Sequence, residues 1–279
     1  MMLFILITDI DKSYKSWYEW IPYNKTTKLK TNFVAQLKKM GEVFIPKPNF
    51  VNFRKYADYD NNTGYGRYIN FTLEDLKFEN YAKWIYDQIN IKYRKNKKNI
   101  IVIGLEQGCH HAKFFAQKYY KDCKGVFILG NRILTKENYE KINNKAYHDL
   151  LKKYFGKEWK KYTIDNIDNK HLKELLDSLD KKGIGENQNY VMYLNGLVKI
   201  YTRSQYDKIK QAKIPSFIYS YTRQINDKKL EIDRKYKNNK VIFYYLDDDS
   251  VYLIYGLYKN EIIERIKCLV NKKIKSIYI

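Results

Sequence analysis

Apolar residues along this chain fall into two patterns, short unbroken runs and stripes spaced three and four apart. Leu3 to Thr8 is a run of the first kind and reads as a buried strand, because a strand covered on both faces loses the alternation of a half-exposed one. Thr31 to Lys39 carries Phe33, Val34 and Leu37, a helical stripe that stops before Gly41. Glu42 to Ile45 makes a second strand, ended by Pro46 and Pro48. Residues 54 to 70 are rich in Tyr, Asn and Gly and read as a surface excursion. Thr72 with Asp75 resembles a capping box and predicts a helix to about Ile91, with Leu76, Tyr81, Trp84, Ile85 and Ile89 toward the core. Past the basic break at 94 to 98 come a strand at 99 to 103, a helix through Tyr119 and a strand from Gly125 to Leu129.

Residues 132 to about 208 differ: they are charged and helical, with Tyr190 to Leu194 as the one candidate strand. Strand character returns at Ile214 to Tyr219. A helix is expected over Asp227 to Tyr236, a strand over Lys240 to Leu246, and a last helix over Lys259 to Val270 with Ile262, Ile263, Ile266 and Leu269 on one face. Strands alternating with helices predict an α/β fold, a mainly parallel central sheet with helices on both faces plus a helical cap insertion. The expected division is a first core part at 1–131, the cap at 132–208 and a second core part at 209–279. No internal repeat is visible.

Composition narrows the setting. With 279 residues and 44% hydrophobic content the chain has material for a sizeable core. The longest apolar runs, LFILI and GVFILG, fall far short of the roughly 20 residues that span a bilayer, so no membrane segment is expected. No basic stretch precedes the first run and Asp9 and Asp11 follow it, which argues against a cleaved signal peptide. Cys109, Cys123 and Cys268 lack metal-type spacing and are expected as free thiols in a reducing, cytoplasmic setting. The net charge of +22 comes mostly from lysine, since only eight of 53 basic residues are arginine. Lysine supplies diffuse attraction to phosphates, so nucleic acid or an acidic protein is the expected partner class. Lys, Asn, Ile and Tyr also share codons rich in A and T. Coding bias in an AT-rich microbial, parasite or large-DNA-virus genome therefore accounts for the same charge, and a viral source would extend the setting to host cytoplasm or virion.

Chemistry concentrates in IIVIGLEQGC, residues 100 to 109. A strand runs into Gly104, then Leu105, Glu106 and Gln107, then Gly108 and a helix. That is the outline of a nucleophile elbow, the tight turn on which many hydrolases mount a serine, but its central residue is Glu106. The flanking glycines suit a turn in which a Cβ would crowd helix and strand.

The order of elements resembles the α/β-hydrolase fold. LFILITDIDKSYKSW is similar to that family's first core strand and oxyanion loop, and KKMGEVFIPKPNF to the strand after it. NIIVIGLEQGCHHAKFFAQKY resembles the elbow strand, turn and helix, and CKGVFILGNR the next strand. AKIPSFIYSYTRQIN and KVIFYYLDDDSVYLIYGLYKNEIIERI resemble the last two strands, the histidine loop and the terminal helix. The resemblance spans most of the chain and omits the insertion.

It implies a serine nucleophile, an acid and a late histidine, in that order. The matching positions here are Glu106, Arg223 and the neighbourhood of Val251, and the oxyanion loop is represented by Thr8 and Asp9 with Asp11 close behind. No serine occurs between Ser16 and Ser178, and His110, His111, His148 and His171 are the only histidines. Carboxylates near an oxyanion site do nothing to stabilise developing negative charge. The ordinary esterase triad is therefore read as lost, with Glu106 expected to bond neighbouring backbone or to pair with a lysine or with Arg223. Two alternatives stand beside this: a carboxylate nucleophile at Glu106, as in haloalkane dehalogenases and epoxide hydrolases of this fold, which use aspartate, and a nucleic-acid-binding protein.

Three further clusters are weighed. Cys109, His110 and His111 are consecutive on a helix, point about 100° apart and are expected to pack rather than ligate a metal. Asp247, Asp248 and Asp249 lie at a strand's carboxyl end and read as a solvated turn. KSYKSWYEWIPYNKTTKLK and LLKKYFGKEWKKYT interleave lysine with aromatics, which suits base stacking. Helix packing explains the second equally well, with Leu150, Leu151, Tyr154 and Phe155 buried. No cofactor or metal is expected.

Overall fold

Strands form where the apolar runs are densest. The computed structural model describes residues 1–8, 14–20, 29–48, 51–52, 67–68, 72–95, 98–106, 108–131, 146–163, 166–174, 205, 213–221, 241–246, 253–256 and 258–271. Its central sheet has six strands: β1 (Met2–Ile7), β2 (Gly41–Phe44), β3 (Ile100–Leu105), β4 (Cys123–Asn131), β5 (Ser216–Tyr221) and β6 (Val241–Leu246). The described helices are α1 (Phe33–Lys38), α2 (Phe78–Lys92), α3 (Gly108–Lys118), α4 (Ala146–Phe155) and α5 (Tyr258–Val270). All neighbouring sheet strands are parallel, in the order β2-β1-β3-β4-β5-β6. The chain starts inside the sheet, steps outward to β2, then crosses back past β1 to β3 and continues to β6. The direction of winding thus reverses between β1 and β3, the place where open α/β sheets leave a crevice at their strand ends.

Both faces of the sheet are covered, which explains the unbroken apolar runs. In β1, Leu3, Ile5 and Ile7 join one core with Ile100, Val102, Val126 and Ile128 and with the buried sides of α2 and α3. The alternate residues Phe4 and Leu6 join Ile101, Ile103, Phe127 and Phe217 in a second core, closed by α1 and by Ile262, Ile263 and Ile266 of α5. A strand with period-two side chains and helices on both sides must be apolar at every position. Phe127 and Phe217 stack across adjacent strands at 4.5 Å between ring centres.

The helix expected from Thr72 to Ile91 is two elements. The backbone N–H of Thr72 donates to Asp75 Oδ2 at 2.8 Å, so the local bonding is as expected, but it caps a 3-10 turn, Leu73–Leu76. Lys77 then has extended backbone at ψ 135°, and α2 begins afresh at Phe78. The freed groups at this break find a distant partner. The Phe78 N–H donates to Gln205 Oε1 at 3.1 Å, and Gln205 Nε2 donates to the Leu76 carbonyl at 3.1 Å. Gln205 is buried, and without it two main-chain groups would lose their partner, a cost of about 1–3 kcal/mol each.

Leu151 of α4, Tyr162 of a 3-10 turn at Gly156–Tyr162, and Ile167 and Leu172 beyond it join the same core as α2 and α3. Leu151 of the expected buried face is fully covered and Phe155 packs beside it, while the side chains of Leu150 and Tyr154 lie outside the description. The expected strand at 190–194 and helix at 227–236 also lie outside the described residues. The three cysteines are free thiols, two of them buried. Among the described residues no helix is long and apolar enough to cross a membrane.

Candidate functional site at the sheet's switch point

The strand-to-helix corner forms where the sequence places it. Glu106, between β3 and α3, has φ 52°, and among the described residues it is the non-glycine with positive φ. A side chain in this left-handed region costs about 1 kcal/mol or more, so surrounding contacts must hold the turn. Two of them are main-chain bonds: the Glu106 N–H donates to the Leu129 carbonyl at 2.9 Å, and its carbonyl accepts from the Cys109 N–H at 3.2 Å. Glu106 itself is half-buried.

The glycines have separate tasks. A Cβ on Gly104 would lie 2.7 Å from both the Ala112 Cβ and the Cys109 Cα, so this glycine lets α3 settle onto β3. A Cβ on Gly108 would lie 2.3 Å from the Ile7 carbonyl oxygen and 2.7 Å from the Thr8 carbonyl carbon. Gly108 therefore brings the start of α3 against the end of β1. Cys109 seals the corner from behind, its thiol 3.3 Å from each of the Gly104 and Leu129 carbonyl oxygens.

Thr8 stands at the switch point, 7% exposed, with its hydroxyl buried and lacking a hydrogen-bond partner among the described residues. The backbone at Ile7 and Thr8 lies against Gly108, so the end of β1 borders the corner. Gln107, Asp9, Asp11, Arg223, Val251 and Asp247 to Asp249 lie outside the described residues, as does the expected Glu106–Arg223 pair.

The histidines are held by their surroundings. His111 lies edge-on to Phe78 and Tyr81, with ring centres 5.0 and 4.8 Å away, and burial pushes its pKa down to about 3. His148 packs on Trp159 at 5.0 Å. His171 Nδ1 sits 2.9 Å from Asp168 Oδ1, and its ring meets the edge of Tyr162. His110 is buried in the first turn of α3. Cys109, His110 and His111 are all covered, as the packing reading requires.

A second cluster had no single sequence signal. Tyr14 and Tyr18 after β1, Phe44 and Lys47 at the end of β2, and Trp84, Lys92 and Tyr93 of α2 and its C-terminus line a cleft of about 370 Å³. Only the first two fall within a stretch read as lysine interleaved with aromatics. Trp84, expected in the core, is half-buried here.

No protein-family model matches the sequence, and no curated protein is similar to it in sequence. Solved structures are similar in shape. MenH from S. aureus superimposes with a TM-score of 0.53 at 12% identity, covering 97% of this chain and 94% of its own. A putative α/β hydrolase from Nostoc sp PCC 7120 gives 0.51 at 12% identity, covering 96% and 90%. MGS-M2, an α/β hydrolase enzyme from a Medee basin deep-sea metagenome library, gives 0.50 at 12% identity, covering 96% and 87%. At such identity these likenesses speak to architecture alone. With the strand order, the corner at Glu106 and these superpositions together, the chain has the α/β-hydrolase fold.

Proposed function

We propose that this chain keeps a hydrolase framework without hydrolase chemistry and serves as a non-catalytic binding or structural protein with a basic surface. The observation that carries the reading is Glu106 itself, a carboxylate in the strained turn at φ 52° where an attacking hydroxyl belongs. Hydrolysis through a covalent ester needs a base to activate water. None of the four histidines lies in the last hundred residues, where the resemblance places that base. Three of them pack against Phe78 and Tyr81, against Trp159, or against Asp168 and Tyr162. The net charge of +22 favours an anionic partner, nucleic acid or an acidic protein.

A fluorophosphonate probe and a panel of short-chain aryl and thio esters test the reading. The expected result is no covalent labelling and no turnover above buffer. Stoichiometric labelling, or ester turnover that survives purification to homogeneity, would overturn it.

A further inference from the structure

The cleft beside the edge strand combines two features that ordinary core packing does not need together. Its wall carries several aromatic rings, and its rim carries lysines. Tyr18 is 37% exposed, and Tyr14 and Trp84 are half-buried. Trp84 stacks on Tyr81 behind it, with ring centres 5.7 Å apart and planes 15° from parallel. Phe44 contacts Tyr93 at 5.6 Å and closes the floor. The Lys47 ammonium sits 3.8 Å above the Tyr14 ring, so one aromatic face already holds a cation. Lys92, exposed at the last position of α2, supplies a second positive charge. Burial first and the nearby Glu42 second push the Tyr93 hydroxyl pKa up, and Glu42 offsets part of that charge.

We propose that this cleft binds single-stranded nucleic acid, with a base stacked against the aromatic wall and flanking phosphates on Lys47 and Lys92. The volume of about 370 Å³ lies at the small end of ligand pockets, which run from roughly 300 to 1,000 Å³, and suits one nucleotide of a longer strand. Every base offers a flat π-face, so rigid aromatics give affinity without sequence preference, while lysines track the backbone. An acidic peptide would use the lysines and leave the rings without a task. The inference rests on the reading of an anionic partner, gives it a site and a chemical class, and stands whatever Glu106 does.

Fluorescence anisotropy with labelled oligo-dT and oligo-rU of about ten nucleotides, within the span such proteins cover, provides the test. Binding of either strand supports the inference. Removing one stacking face with Tyr18→Ala or Trp84→Leu is expected to weaken binding at least about fivefold, the lower bound for one stacked base. Tyr18 is exposed, so its variant is expected to keep the fold, and thermal melting of both variants checks this. Lys47→Gln and Lys92→Gln are each expected to make the slope of log affinity against log salt shallower by about 0.7, one phosphate contact on a single strand. Heparin, a polyanion without bases, is expected to bind more weakly at matched charge. The proposal is overturned by any of three results: no binding of either oligonucleotide at low salt, binding that the Tyr18 and Trp84 variants leave unchanged, or heparin binding equal to that of the oligonucleotides.

Discussion

Gly108→Ala is expected to destabilise the protein by about 3 kcal/mol or more, the upper end for overpacking a well-filled site. Alanine is the better helix former by about 1 kcal/mol, so propensity alone would favour the change at the start of α3. Geometry decides otherwise. The added carbon would sit 2.3 Å from the Ile7 carbonyl oxygen and 2.6 Å from its carbon, both main-chain atoms of a central strand. Gly125→Ala is the matched comparison: its added carbon would lie 2.4 Å from Leu269 Cδ2, the far end of a flexible side chain. That variant is expected to lose only about 1 kcal/mol, because a leucine can turn and a strand held on both sides cannot. Since ~1 kcal/mol moves Tm by roughly 2–4 °C in chains of about this size, the two melting curves should separate clearly. Equal costs for the two substitutions would mean that α3 does not press on β1 as described.

Acidification from pH 6.5 to 4.5 is expected to cost about 2 kcal/mol of stability through His111 alone. It is 4% exposed, its Nδ1 lacks a hydrogen-bond partner among the described residues, and burial pushes its pKa down to about 3. In the unfolded chain it titrates near 6.5, so below that pH the unfolded state binds a proton that the folded state refuses. The stability held in the neutral ring is complete above pH 6.5 and is lost progressively as the pH falls toward 3, at about 1.4 kcal/mol per unit. Most carboxylates stay ionised down to about pH 4.5, so imidazoles dominate that window and comparison with a His111 variant singles out this one. His111→Leu, close in volume and without a titrating group, is expected to retain stability at pH 7 and to flatten this slope. Urea denaturation of both proteins at several pH values gives the comparison, and parallel slopes would show that His111 is not buried uncharged.

Much of the framework was legible because local pattern and tertiary role coincide in it. The runs at β1 and β3 are apolar at every position since helices cover both sheet faces, and a run of that kind has few other uses. Gly104 and Gly108 could be read as packing glycines, and each meets main-chain atoms within 3 Å of where a Cβ would stand. The capping residues Thr72 and Asp75 were legible as a motif but not in their consequence. The break at Lys77 is held by Gln205, more than a hundred residues further on, and no local pattern announces that contact. The cleft was hidden for a related reason. Its members come from three stretches, around residues 14–18, 44–47 and 84–93, and within α2 the stripe containing Trp84 is indistinguishable from a core face. Counting along the chain assigned Arg223 and Val251 to the acid and histidine positions, and both lie outside the described residues.

Oxygen exchange at Glu106 tests the loss of chemistry most directly. If Glu106 displaced a halide or opened an epoxide, water would cleave the resulting ester at the Glu106 carbonyl carbon, and one carboxylate oxygen would come from solvent. The protein would be incubated in ¹⁸O-labelled water with representative epoxides and haloalkanes, and the peptide containing Glu106 weighed afterwards. The account expects an unshifted mass and no product beyond that formed with Glu106→Gln. Incorporation of ¹⁸O into Glu106 together with product that Glu106→Gln fails to make would contradict it.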